Sequence, residues 1–116
     1  MTEKMPTGKN LTMLTDFYEM TMANGYLANG YRDTIAYFDM FFRRVPNSGG
    51  FAIMAGVQQL VEYLNQLVFT PEDIAYLRST GIFNEEFLAY LSDSKFCCDI
   101  WAIPEGTPIF PGEPIV

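Results

Sequence analysis

The chain has 116 residues, 49% of them hydrophobic and 16% aromatic, with 7 Lys and Arg against 14 Asp and Glu for a formal net charge of −7. That is enough apolar material for one core, in a single small domain or a piece of a larger one. The acidic balance argues against nucleic acid or an anionic membrane surface as the main partner, while a few arginines can still hold a phosphate locally.

No histidine occurs. Within these residues that excludes Ser-His and Cys-His nucleophile pairs, histidine-ligated metals and the usual general base. Cys97 and Cys98 are adjacent and have no second pair beside them. They suit neither a disulfide framework nor a thiolate metal site, and strand packing is the expectation for both. No apolar run is long enough to span a bilayer and the N-terminus lacks a signal-peptide core, so a reduced, cytoplasmic location is expected.

Met1 to Asn10 is a polar lead-in, and Leu11 to Leu14 a short apolar entry. The first helix is expected from about Asp16 to Asn29. Asp16 is placed to accept first-turn N–H groups, with Glu19 three residues on to complete a capping box. Phe17, Met20, Ala23 and Leu27 form an apolar stripe, and Gly30 supplies a left-handed stop. Tyr18, Met22 and Tyr26 add a second line, which predicts burial on more than one side.

Thr34 to Arg43 reads as the clearest strand. Ala36, Phe38, Met40 and Phe42 point one way; Ile35, Tyr37, Asp39, Phe41 and Arg43 point the other. The second face is either a solvated surface or the wall of a polar pocket. Val45 to Gly50 is a loop by composition. Phe51 to Met54 suits a short buried strand, and Val57 to Leu67 a helix. Thr70, Pro71 and Asp73 open another helix that stops at Gly81. Asn84 caps a fourth, with Glu85 and Glu86 in its first turn and Phe87, Leu88 and Leu91 on its buried face. Strand alternation returns over Phe96 to Ile103. The Pro- and Gly-rich span from Pro104 to Val116 predicts turns and edge strands. The fold class is α+β, mixed helices and a small sheet. The apolar ending Ile115-Val116 suggests a strand that runs on in a longer protein, so a fragment is expected.

Four segments together resemble the N-terminal domain of the nicotinate phosphoribosyltransferase family, a type II phosphoribosyltransferase. They are Leu14-Thr15-Asp16-Phe17-Tyr18-Glu19-Met20-Thr21-Met22, Ala36-Tyr37-Phe38-Asp39-Met40-Phe41-Phe42-Arg43-Arg44, Gly49-Gly50-Phe51-Ala52-Ile53-Met54-Ala55-Gly56 and Ile103-Pro104-Glu105-Gly106-Thr107. The resemblance covers nearly the whole chain but only the opening part of the family's length; the β/α barrel that follows in the family lies outside it. It implies an enzyme of NAD salvage that joins nicotinate to 5-phosphoribosyl 1-diphosphate, giving nicotinate mononucleotide and diphosphate. ATP hydrolysis drives the reaction and Mg²⁺ accompanies the diphosphate. The family's phosphorylated histidine belongs to the barrel, so this piece alone is expected to be inactive. A homodimer is one assembly the resemblance allows. In relatives that dimerise, the first-helix tyrosine stacks on the pyridine ring in the partner subunit's site, and the matching position here is Tyr18. Asp16 shares that motif. Arg43 is the arginine chosen for substrate phosphate, with Arg44 as its competitor. None of the three is assigned a catalytic role, and no metal ligand is assigned.

The residues also have plainer roles. Asp16 can be simply a helix cap, Tyr18 a core or dimer-packing residue, and Arg43 and Arg44 solubilising charges at a strand end. Asp39 reads as a partner for Arg43, Gly49-Gly50 as a turn, and Glu105 as an ordinary surface residue before a turn at Gly106. Two further functions stay open: a stand-alone interaction module with this fold, and a phosphoribosyltransferase acting on nicotinamide or quinolinate.

Overall fold

A computed structural model describes residues 10–116 of the chain. Apart from Asn10, the polar lead-in lies outside the described residues. The element order is α1 (Phe17–Ala28), a 3₁₀ turn (Pro46–Ser48), β1 (Ala52–Ile53), α2 (Val57–Gln66), α3 (Pro71–Ser79), α4 (Glu85–Asp93) and β2 (Pro108–Ile109). Four helices and a small sheet agree with the α+β class. No helix among them is long and apolar enough to cross a membrane. The chain divides into two compact units, one running up to Ile35 and resuming over Tyr63–Phe96, the other formed by Ala36–Glu62 and Cys97–Val116.

The first unit is helical. Met20 of α1, Ile74 and Leu77 of α3, Phe83, and Phe87, Leu88 and Leu91 of α4 form its core, with Met13, Ala23, Leu27 and Phe69 packed around them. Leu77, Phe87 and Leu88 are fully buried, each worth about 1.5–3 kcal/mol against exposure. The α3 start matches the sequence: Thr70 Oγ1 accepts from the Asp73 amide at 3.2 Å, and Asp73 Oδ2 accepts from the Thr70 amide at 2.8 Å. Gly81 follows with a positive φ of 69°. The start of α4 is secured differently. Asn84 makes no side-chain cap bond; its own amide donates to Asn24 Oδ1 of α1 at 3.1 Å. The entry to α1 is tied down by Thr12. Its hydroxyl accepts from the Val68 amide at 3.1 Å, while Asn10 Nδ2 donates to the Val68 carbonyl at 2.8 Å.

The second unit centres on Met54, Ile109 and Ile115, with Phe42, Ala52, Val57, Ile103 and Val116 against them. β1 and β2 pair antiparallel, Ala52 opposite Ile109 and Ile53 opposite Pro108. The turn at Gly106 (φ 84°) is fastened to β1, because the Gly106 amide donates to the Met54 carbonyl at 2.8 Å and the Met54 amide to Thr107 at 2.9 Å.

Four expectations are corrected. The strand over Thr34 to Arg43 does not form as a ladder. The Thr34 amide donates back to Tyr31 in the preceding turn, and beyond it, among the described residues, backbone bonds reach the segment at Met40, which pairs with Ile115 and Val116, and at Phe42, which accepts from Gly112. Ile35, Tyr37 and Phe38, on both faces of the alternation, are 79%, 93% and 90% exposed. Phe96 to Ile103 is likewise extended but unladdered, with one backbone bond at its end, from Ile103 to Ile115. In both cases residues of the right pattern have no neighbouring strand to pair with along most of their length. Cys97 and Cys98 are therefore exposed, not packed. Finally, α1 is buried on one side only, since Tyr18, Met22 and Tyr26 are all exposed.

Candidate functional site

The candidate corner is the N-terminal turn of α1. Asp16 occupies the N-cap position with extended dihedrals (φ −72°, ψ 139°), and its carbonyl accepts the Glu19 amide at 3.1 Å. Its side chain makes no cap bond. The expected box fails because Glu19 is engaged elsewhere: its carboxylate accepts from the Thr15 hydroxyl. The Asp16 carboxylate is left exposed at the positive end of the helix dipole.

Two neighbours set the direction of Tyr18. Met20, two residues on, is buried in the core, and two helical residues lie about 200° apart at 3.6 residues per turn. Phe17 rests edge-on against Phe83, with ring centroids 5.8 Å apart. With Met20 inward and one edge of the half-exposed Phe17 against Phe83, Tyr18 faces solvent, and it is 59% exposed. The tyrosine carbonyl is occupied by the Thr21 hydroxyl at 3.0 Å. The helix end thus presents an exposed aromatic ring and an exposed carboxylate two residues apart, groups able to stack on a flat ring and to accept a hydrogen bond.

Arg43 belongs to the second unit. It is exposed and directly follows Phe42, whose carbonyl accepts the Gly112 amide at 2.9 Å. Arg44 is exposed too. The expected Asp39–Arg43 pair is absent: among the described residues the one ion pair joins Arg78 to Glu85, at 2.8 Å. Asp16 and Tyr18 therefore share a helix end in the first unit, while Arg43 sits by itself in the second. Among the described residues no three His, Cys, Asp or Glu side chains cluster as a metal site.

Sequence reasoning missed two features. Glu105 is no ordinary surface residue. Its Oε1 accepts from the Gly56 amide at 3.0 Å and the Gln58 amide at 3.1 Å, so it caps α2 from far along the chain. Its place in the fourth matching segment was the available signal. In the first unit, Arg32 lies 5.4 Å over the Tyr90 ring. They line an open groove of about 310 Å³ with Leu27, Glu86, Ala89, Asp93 and Ser94. Nothing in the local pattern links positions so far apart.

Residues 13–116 match the family model described as the nicotinate phosphoribosyltransferase N-terminal domain. The chain is similar to nicotinate phosphoribosyltransferase pncB2 of Mycobacterium tuberculosis (strain ATCC 25618 / H37Rv), 44% identical over 104 residues, 90% of this chain and 22% of the relative. It is similar to the nicotinate phosphoribosyltransferase of Bacillus subtilis, 36% identical over 107 residues, 92% of this chain and 22% of the relative. The human nicotinate phosphoribosyltransferase is 37% identical over 109 residues, 90% of this chain and 20% of the relative. The chain therefore spans about a fifth of the length of the curated relatives it matches.

Proposed function

The chain belongs to the nicotinate phosphoribosyltransferase family, whose N-terminal domain it matches, and we propose that it serves NAD salvage as the base-binding part of such an enzyme. The whole enzyme joins nicotinate to 5-phosphoribosyl 1-diphosphate in a reaction coupled to ATP hydrolysis, and residues beyond this domain carry the phosphoryl chemistry. Alone, the domain turns over no substrate. Mg²⁺ and ATP belong to the whole enzyme, and no step assigned to these residues runs through either.

Within that reading, Tyr18 stacks on the pyridine ring, Asp16 orients the ligand from the same helix end, and Arg43 meets substrate phosphate by charge-assisted hydrogen bonds. The observation that supports it best is the outward ring of Tyr18, 59% exposed on a helix that buries Met20 in the core. Stacking of this kind is worth about 0.5–1.5 kcal/mol. Tyr18→Ala in the full-length enzyme is expected to weaken nicotinate binding roughly 3- to 10-fold with an unchanged circular dichroism spectrum, and Tyr18→Phe to retain most of the affinity. Wild-type affinity in Tyr18→Ala removes Tyr18 from the site. Turnover measured with nicotinate, nicotinamide and quinolinate on the full-length enzyme identifies the base.

A further inference from the structure

We propose that Cys97 and Cys98 form a two-thiolate clamp for trivalent arsenicals. Both thiols are free and exposed. Every residue from Lys95 to Trp101 is exposed as well. The backbone anchors that bracket them are the Ser94 amide on Leu91 at 3.1 Å and the Ile103 amide on Ile115 at 3.0 Å, with no backbone hydrogen bond between those points among the described residues.

Three facts of geometry and chemistry select the ligand. Consecutive Cα atoms lie about 3.8 Å apart, short of the roughly 4.4–6.8 Å that ordinary disulfides span. A direct sulfur–sulfur bond between neighbours therefore distorts the peptide that joins them, whereas an inserted bridging atom relaxes that demand. Ions that need about four donors, such as zinc, lack them here, since no cluster of three His, Cys, Asp or Glu occurs among the described residues. A soft centre satisfied by two sulfurs does fit, and thiolates favour soft acceptors. In a regular strand, adjacent side chains point to opposite faces. Free of ladder bonds, this segment can rotate both sulfurs to one side.

The reaction is a condensation. With an organoarsenic(III) oxide, two As–S bonds form and the arsenic–oxygen bond breaks. Both thiol protons leave with that oxygen as water, and arsenic stays trivalent.

Phenylarsine oxide added in equimolar amount to the 116-residue chain tests the clamp by intact mass and thiol titration. The expected result is one phenylarsine per monomeric chain, loss of both titratable thiols, and release by a small dithiol but not by an equal concentration of monothiol. Cys97→Ser and Cys98→Ser each turn the second attachment from intramolecular to absent, and each is expected to bind at least ~100-fold more weakly. Two thiols still titratable at equimolar reagent, a serine variant that binds as tightly as wild type, or one arsenic shared by two chains overturns the proposal.

Discussion

Replacing Glu105 by alanine should destabilise the second unit although the side chain is exposed. Its carboxylate accepts the amides of Gly56 and Gln58, at 3.0 and 3.1 Å, and these are among the N–H groups that the first turn of α2 leaves without intrahelical partners. The negative charge also sits at the positive end of that helix. Loss of an N-terminal cap costs about 0.5–2 kcal/mol, near 1 in most hosts. Two accepted amides place Glu105→Ala in the upper half of that range, at about 1–2 kcal/mol. With a urea slope of about 1.5 kcal/mol/M, the midpoint should fall by about 1 M.

Two companions separate the cap from the charge. Glu105→Gln keeps a carbonyl acceptor but loses the charge, and should fall between the wild type and Glu105→Ala. Glu113→Ala removes another exposed carboxylate from the same unit, one with no side-chain hydrogen bond among the described residues, and should stay within about 0.5 kcal/mol of wild type. Urea unfolding followed by circular dichroism measures all three, and amide exchange at Gly56 and Gln58 locates the effect. A Glu105→Ala midpoint equal to that of Glu113→Ala refutes the capping argument.

Leu88→Ala opens a cavity in the first unit, where Leu88 is fully buried. A loss of about 2–5 kcal/mol is expected in the same urea assay, and a loss under about 1 kcal/mol contradicts the packing described. The exposed Arg78–Glu85 pair offers a pH test. The hydrogen bond from Arg78 is the main reason the Glu85 carboxylate titrates below its ordinary value, with Coulomb attraction in the same direction. A carboxylate lowered in the folded state favours folding above its unfolded range, and that contribution disappears as pH falls through the folded value. In Arg78→Ala, the Glu85 carboxyl resonance followed by NMR should titrate at a higher pH than in wild type. Salt should narrow the gap, because both groups are exposed. Identical titrations in the two proteins refute the pairing.

The helices were the most legible part of the chain because their signals are local. Thr70, Pro71, Asp73 and Gly81 lie within one helix length, and each does what its chemistry predicts. The same pattern at Asp16 and Glu19 fails, since Thr15 offers Glu19 a competing donor. Caps supplied from a distance left no local trace of their partner. Asn24 meets Asn84 and Glu105 meets Gly56 only once the chain has folded, and neither position looks unusual among its sequence neighbours.

Strands are harder to read for a physical reason. Alternation says which side chains share a face, but the hydrogen bonds that make a strand belong to its neighbour. Residues 34–43 have the pattern throughout, yet among the described residues only Met40 and Phe42 find backbone partners on another extended segment, in Gly112, Ile115 and Val116. One residue separates Met40 from Phe42 while two separate Gly112 from Ile115, so even that contact carries one residue too many on one side, as a bulge does. The candidate site inherits this difference. Tyr18 points outward because Met20 on its own helix points inward, although the spacing of Tyr18, Met22 and Tyr26 had suggested a second buried side. Arg43 was assigned a face by alternation, but it stands just past the last paired residue of its segment, where no ladder fixes which way a side chain turns. A substitution series on the whole enzyme should therefore begin at Tyr18, whose direction the helix fixes.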